Sequence, residues 1–144
     1  MYKRQGLDTI VAGSVTDATK DAPIVTLITR ASEPFLRAEH LAPGTHLNAV
    51  GAILPSHAEF APALLGGSAL TVVDSGANAR RGSRELREYF GAADADDWSS
   101  VHTLADVVAG KAARPPAPRC TVFKPMGMGL SDLAVARLVV GGRP

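Results

Sequence analysis

Short apolar runs alternate with short segments of helical pattern along this chain. Runs of aliphatic and β-branched residues predict strands at residues 7–12, 24–29, 45–50, 69–73 and 119–124. Apolar spacing and capping residues predict helices at residues 14–21, 37–41, 62–65, 79–90, 103–109 and 130–140. The run at 24–29 is continuously apolar, which predicts a strand buried on both faces.

The regular alternation of strands with helices determines the fold class. It predicts an α/β protein in which a mostly parallel sheet has helices on both faces. A length of 144 residues suits one domain, or part of one, and no interior linker divides it. Residues 92–97 (AADADD) are predicted to form an acidic loop.

Composition and charge exclude several classes of protein. Hydrophobic residues make up 46% of the chain and aromatic residues only 5%, so the core is expected to be aliphatic and the chain ordered. A net charge of +1 argues against a nucleic-acid-binding or membrane-surface protein. No apolar run reaches the roughly 18 residues of a membrane span. One cysteine, Cys120, excludes an internal disulfide and suits a reducing cytoplasm, where we expect the protein to reside.

Candidate chemistry follows from the predicted sheet. Ligands of open parallel sheets bind at the carboxyl ends of the strands. That rule selects the residues that follow the strands: Thr29, residues 50–52, Asp74 and residues 125–127. Gly51 would allow the backbone to approach a flat ligand closely.

Most catalytic and metal-binding motifs are absent. The chain contains no G-x-G-x-x-G, P-loop, G-x-S-x-G or H-E-x-x-H sequence, and its four histidines lack metal-ligand spacing. We therefore predict no metal site. Cys120 lies within a predicted strand, where an inert buried thiol is the expected state.

Three stretches in this order resemble the ornithine cyclodeaminase/mu-crystallin family. They are THLNAVGA at residues 45–52, LADVVAGK at 104–111, and TVFKPMGM at 121–128 followed by SDL at 131–133. Each motif alone is modest, whereas the ordered set is specific. The resemblance extends from about Gly6 to about Val140, which is nearly the whole chain.

The resemblance implies a Rossmann-type domain that binds NAD(H) or NADP(H), with the choice between them left open. Family members include ornithine cyclodeaminase, alanine dehydrogenase and reductases of ketimines or pyrroline-2-carboxylate. They move a hydride between nicotinamide and the carbon that bears the amino group of an amino or imino acid. By position, the cofactor-binding residues implied are Thr29, Val50, Gly51, Ala52 and Pro125. Met126 is the implied substrate contact, and no catalytic residue is assigned.

Departures from the family pattern favour an imine reductase. The cyclodeaminase branch has a reacting aspartate where this chain has Ile53, which cannot transfer a proton. The VGA form of residues 50–52 resembles mu-crystallin and the imine reductases. Pro125 replaces a serine of many relatives, and Gly82 stands where an acidic residue is frequent. Ornithine cyclodeaminase and a non-catalytic, crystallin-like binding protein remain as alternatives.

The resemblance also implies that much of a complete family member lies outside this sequence. Residues 6–140 resemble the C-terminal half of the NAD(P)-binding domain, without the Gly-rich turn or the substrate domain, and residues 141–144 are a tail. We therefore expect the isolated chain to be inactive and its parent to dimerise through the other domain. Residues 1–5 (MYKRQ) match the translated end of a transposase sequencing adapter. We expect them to be non-native, in a truncated metagenomic reading frame.

Overall fold

A computed structural model describes residues 6–92 and 96–141. The proposed adapter residues 1–5, part of the acidic loop (93–95) and most of the tail (142–144) lie outside the described residues. Five strands form one fully parallel sheet in the order β1-β2-β5-β3-β4, which confirms the predicted α/β class. The strands are β1 (Ile24–Leu27), β2 (Thr45–Ala49), β3 (Ser68–Val73), β4 (Val101–Thr103) and β5 (Cys120–Lys124).

The described α-helices are short apart from the last one. They are α1 (Val15–Thr19), α2 (Gly76–Gly82), α3 (Arg84–Phe90), α4 (Leu104–Val108) and α5 (Gly129–Val140), with 3-10 helices at Ala38–His40, Pro62–Gly67 and Asp96–Ser100. Predicted caps hold the first and fourth helices in place. Ser14 accepts a hydrogen bond from the amide of Asp17, and Thr103 accepts one from the amide of Asp106.

The last strand in sequence lies in the middle of the sheet. Phe123 of β5 is in register with Asn48 of β2 on one side and with Val72 of β3 on the other. Because all the strands are parallel, the segments that follow β1, β2, β5 and β3 emerge side by side at one edge of the sheet. We call this the carboxyl edge.

The core is aliphatic, as the composition predicts. Its fully buried large apolar side chains are Leu36, Leu47, Phe60, Leu64, Val73, Leu86 and Val122. Phe90 and Trp98 extend this core, with ring centroids 5.6 Å apart. The guanidinium carbon of Arg80 lies 4.8 Å from the Trp98 ring centroid, so a cation–π contact covers the outer side of that ring.

One strand prediction is wrong and another is wrong in part. Residues 7–12 form no strand, and their apolar side chains Ile10 and Val11 are more than nine-tenths exposed. A strand needs a hydrogen-bonded neighbour, and among the described residues none pairs with this segment. Burial in β1 alternates instead of covering both faces: Val25 and Leu27 are buried, whereas Ile24 and Thr26 are exposed, so only one face of this strand is covered.

The helix predicted at residues 79–90 is divided in two at Ser83. Ser83 has extended backbone angles (φ −82°, ψ 112°), ends α2 and caps α3. Its hydroxyl accepts a hydrogen bond from the amide of Leu86 and donates one to Glu85. Strand β4 was not predicted, because three residues are too few to show a period.

Helix α5 contributes no buried residue to the described structure, although it is the longest helix. Leu130, Leu138, Val139 and Val140 are each at least 65% exposed. Within residues 6–92 and 96–141, no helix has the length and apolar character that crossing a membrane requires.

Candidate site at the carboxyl edge

The carboxyl edge brings together the segments that the sequence selects. Val50 donates its amide to the oxygen of Leu27 at 2.9 Å, which continues the pairing of β1 and β2 past the end of β2. Thr29 lies two residues after the end of β1, and Gly51 lies two residues after the end of β2. On the other side of β2, Lys124 ends β5, and Pro125 and Met126 follow it.

Glu59 joins the segments after β1 and β2. Its side chain is fully buried, and one carboxylate oxygen (Oε1) accepts the amide of Thr29 at 2.6 Å and the hydroxyl of Thr29 at 2.8 Å. The other oxygen (Oε2) accepts the amides of Gly51 at 2.8 Å and Ala52 at 3.2 Å. One carboxylate therefore receives four hydrogen bonds from two loops, an arrangement in which every donor has an acceptor.

Gly51 is required by this arrangement. A Cβ atom at position 51 would overlap the backbone nitrogen and oxygen of Thr29 and the carboxylate of Glu59. Close approach of a ligand was the predicted reason for glycine here. The structure shows an internal reason, since Thr29 and Glu59 fill the position that a side chain would take, and close approach of a ligand stays a prediction.

Lys124 lies fully buried beneath the same loops. Its ammonium nitrogen (Nζ) donates to the backbone oxygens of Ala49, at 3.2 Å, and Ala52. Burial lowers the pKa of Lys124, and the negative charges of Glu85, Glu59 and Asp74 oppose that shift. The lysine thus couples the end of β5 to the turn that follows β2.

Glu85 supports Glu59 from α3. Its fully buried carboxylate accepts the backbone amide of Glu59 at 3.1 Å and the hydroxyl of Ser83 at 3.0 Å. The break between α2 and α3 therefore has a second effect besides capping. It directs Glu85 inward to the segment that carries Glu59.

Asp74 orders the segment after β5. Its carboxylate accepts the amides of Met126 at 3.0 Å and Gly127 at 2.8 Å, as well as the amide of Ser75 at 2.7 Å. Gly127 has a φ of 86°, so the turn there uses a backbone conformation that favours glycine. We call Glu59, Asp74, Glu85 and Lys124 together the charged frame.

The predicted site residues differ in their exposure. Thr29 is exposed, Val50 is 38% exposed, and Pro125 and Met126 are half-buried. Ala52 is fully buried, and its amide and carbonyl bond to Glu59 and Lys124. Direct contact of a ligand with these residues stays a prediction.

Met126 owes its position partly to Gly82. A Cβ atom on Gly82 would come within 2.8 Å of the terminal methyl of Met126 and 3.4 Å of the backbone oxygen of Ile53. The absence of a side chain at Gly82 therefore lets Met126 and the Ile53 segment pack against α2 at this point. Ile53 itself is 47% exposed.

The rim of the edge suits a flat, weakly polar ring. Most of its exposed or half-exposed side chains are apolar, namely Val50, Ile53, Pro125 and Met126, and the exposed Thr29 donates its hydroxyl to Glu59. The acidic groups of the charged frame accept hydrogen bonds from loop amides and hydroxyls. No group of three potential metal ligands occurs in the part of the chain that the structure describes. The edge therefore presents apolar side chains beside backbone amides and acidic groups that are already hydrogen-bonded.

Sequence reasoning missed Glu59, Glu85 and Lys124. Two signals were present: Glu59 lies between Ala58 and Phe60, and Lys124 ends the apolar run of β5. A charged residue within an apolar run is a sign of a buried, bonded charge, because burying an unpaired charge is costly.

Comparison with known proteins identifies the family. Residues 1–141 match the sequence profile of the ornithine cyclodeaminase/mu-crystallin family, a range that includes the five residues expected to be non-native. The chain is 36% identical over 133 residues to the ketimine reductase mu-crystallin of Rattus norvegicus, covering 92% of this chain and 39% of that protein.

Solved structures agree with this match. The structure of Thermococcus litoralis Δ1-pyrroline-2-carboxylate reductase in complex with NADH and L-proline superposes with a TM-score of 0.83 at 27% identity, covering 96% of this chain and 43% of that one. An archaeal alanine dehydrogenase dimer with bound NAD gives a TM-score of 0.78 at 26% identity, with 96% and 42% covered. The chain spans about two-fifths of the length of these relatives. By sequence and fold alike, the chain belongs to the ornithine cyclodeaminase/mu-crystallin family.

Proposed function

We propose that this chain forms the nicotinamide side of an NAD(P)H-binding site in a reductase of small cyclic or linear imino acids. The observation that carries the proposal is the carboxyl edge, where the charged frame fixes three loops around an apolar rim. The mu-crystallin and pyrroline-2-carboxylate reductase relatives support the C=N bond as the reacting group.

In this proposal the chain's residues bind and orient the cofactor. Val50, Ile53 and Met126 pack against one face of the nicotinamide ring and exclude water from it. The bound cofactor supplies the hydride. Glu59 and Asp74 take no part in proton transfer, because loop amides occupy their carboxylates. Protonation of the substrate nitrogen falls to groups outside this rim.

The other two candidate functions have weaker support. Cyclodeamination requires a carboxylate at the position of Ile53, whose side chain carries no ionisable group. A non-catalytic, crystallin-like role would use the same cofactor edge without a substrate. These two roles differ from reduction in whether NAD(P)H is consumed when an imino acid is added.

The proposed activity belongs to a protein of the relatives' length. We propose that residues 6–140 correspond to the C-terminal half of its cofactor domain, that residues 1–5 are non-native, and that the whole protein is a cytoplasmic homodimer. The isolated chain, whose sequence lacks a Gly-rich turn, is expected to have no reductase activity. The choice between NADH and NADPH remains open.

Backbone amide spectra recorded by NMR would test the proposed cofactor edge. The chain would be titrated separately with reduced nicotinamide mononucleotide, with AMP and with NADH. We expect the mononucleotide and NADH to shift the amides of Val50 and Met126, and AMP to leave them unchanged. Equal shifts with AMP, or none with millimolar mononucleotide, would contradict the proposal.

A further inference from the structure

Hydrogen bonds to Glu59 join the segments after β1 and β2 beyond the point where the backbone pairing of these strands ends. The last paired residues of β1 and β2 are Leu27 and Ala49, and the amide of Val50 makes the last backbone hydrogen bond between the two strands. Beyond that point, the described hydrogen bonds that bring Thr29 together with Gly51 and Ala52 all pass through the Glu59 carboxylate. Val50 therefore makes the last backbone bond itself, and the next residue, Gly51, makes the first bond to the carboxylate on this strand.

Glu59 is distant in sequence from Thr29 and is not itself on the rim. It lies 30 residues after Thr29 and 8 residues after Gly51. It has no exposed surface, and its own amide is held by Glu85 on α3. The spacing of the two loops is therefore set by a group that is anchored in the interior.

We propose that Glu59 is the positioning residue of the cofactor edge: by fixing the loops after β1 and β2 at one spacing, it places Val50 against the nicotinamide ring. This inference rests on the proposed function for its ligand. Its geometry, a buried carboxylate with four donors from two loops, is independent of any ligand.

The chemistry of the four bonds requires a carboxylate at position 59. Every partner is a donor, so both side-chain oxygens must act as acceptors. Glutamine has the same shape but carries an amide nitrogen in place of one oxygen. In Glu59→Gln that nitrogen either faces the amides of Gly51 and Ala52 or faces both donors of Thr29. In the first orientation the two amides lose their acceptor. In the second the amide of Thr29 loses its acceptor, while its hydroxyl can reverse and accept from the glutamine nitrogen. In each orientation the bonds to one loop are weakened.

The test compares Glu59→Gln with Glu39→Gln, the same change at an exposed glutamate whose side chain is 66% accessible. Amide hydrogen exchange is measured at Thr29, Gly51 and Ala52, with Val122 in β5 as the internal reference. Affinity for reduced nicotinamide mononucleotide is measured on the same samples. Thr29→Val removes the hydroxyl that donates to Glu59 and accepts the amide of Ala31, and it keeps the three amide bonds to Glu59. It provides a milder variant if Glu59→Gln fails to fold.

We expect Glu59→Gln to accelerate exchange by at least about ten-fold at Gly51 and Ala52, or else at Thr29, with Val122 unchanged, and to weaken mononucleotide binding by a similar factor. Thr29→Val should weaken binding by about three-fold, and Glu39→Gln should have no effect. Unchanged binding in both Glu59→Gln and Thr29→Val would overturn the inference. Uniformly faster exchange in both variants would also overturn it, because it would show a purely global structural role.

The same experiment separates this inference from the proposed function. If the wild-type chain binds the mononucleotide and Glu59→Gln binds it equally, only the positioning role fails. If the wild-type chain binds none, the proposed function fails and the cofactor role of Glu59 fails with it, whereas the exchange rates still decide whether Glu59 fixes the loops.

Discussion

Lys124 donates from its ammonium nitrogen to the backbone oxygen of Ala49, 3.2 Å away on the neighbouring strand. A second hydrogen bond goes to the backbone oxygen of Ala52, so the lysine connects the two ends of the turn after β2. Glu59 accepts the amides of Gly51 and Ala52, and Lys124 donates to the carbonyls of Ala49 and Ala52, so buried charged groups bond to both kinds of backbone group at this turn. The carboxyl edge is therefore preorganised by buried charge and not by the sheet alone.

Replacing Lys124 with methionine should destabilise the protein and change its pH dependence. The variant leaves two carbonyl oxygens and the nearby acidic groups without a cation, at a cost of about 3 kcal/mol near neutral pH. Because folding lowers the pKa of Lys124, the unfolded chain binds more protons between that lowered value and the ordinary 10.5. The wild-type free energy of unfolding should therefore rise with pH in that window relative to the variant.

Urea unfolding of both proteins from about pH 7 to about pH 10.5 measures this difference. Subtracting the two curves removes groups that titrate equally in both proteins. A difference that falls as pH rises would show that burial does not lower the pKa of this lysine.

Gly51→Ala should lower the free energy of unfolding by at least about 2 kcal/mol. The added methyl group would overlap Thr29 and the carboxylate of Glu59, which cannot move without releasing their hydrogen bonds. Gly76→Ala is the matched control. Gly76 lies in the first turn of α2, and a Cβ atom added there would have no neighbour within 4 Å. That change should be neutral or stabilise by about 0.5 kcal/mol. Thermal unfolding of both variants measures the two changes in stability. Equal losses of stability in Gly51→Ala and Gly76→Ala would contradict the role assigned to Gly51.

Ser83→Ala should cost about 1.5 kcal/mol, since the hydroxyl both caps α3 and donates to the buried Glu85. Ser14→Ala removes a cap of the same type from the exposed helix α1 and should cost about 0.5 kcal/mol. Chemical denaturation of the two variants measures the difference between their losses in free energy of unfolding. A larger loss at Ser14 than at Ser83 would mean that the Glu85 contact contributes nothing.

Cys120 should react slowly with thiol reagents in the folded protein. Burial raises the pKa of its thiol, which reduces the reactive thiolate, and its sulfur contacts the backbone oxygen of Gly67 at 3.4 Å. A disulfide-exchange reagent at about pH 8 should modify the unfolded chain in urea much faster than the native one. Equal rates in the two states would contradict the buried position of this cysteine.

The apolar pattern predicted most of the sheet, because each central strand is a short run bounded by turn residues. It also located Thr29, residues 50–52 and Met126 at one edge, since parallel strands end together. It failed at residues 7–12, where apolar character alone does not supply a pairing partner. It also failed at Ser83, whose capping bonds outweigh the helical tendency of its neighbours. Of the charged frame, Asp74 was selected because it follows a strand, whereas Glu59, Glu85 and Lys124 were missed. Their partners are mostly backbone groups, and no spacing in the sequence marks which distant amide or carbonyl they will bond.

The most direct measurement of the central claim is an intermolecular nuclear Overhauser experiment on the chain with NADH. The account predicts cross-peaks between the nicotinamide ring protons and the methyl groups of Val50 and Met126, with none from the adenine protons to the same methyls. Cross-peaks from adenine alone, or nicotinamide contacts confined to residues away from the carboxyl edge, would contradict it.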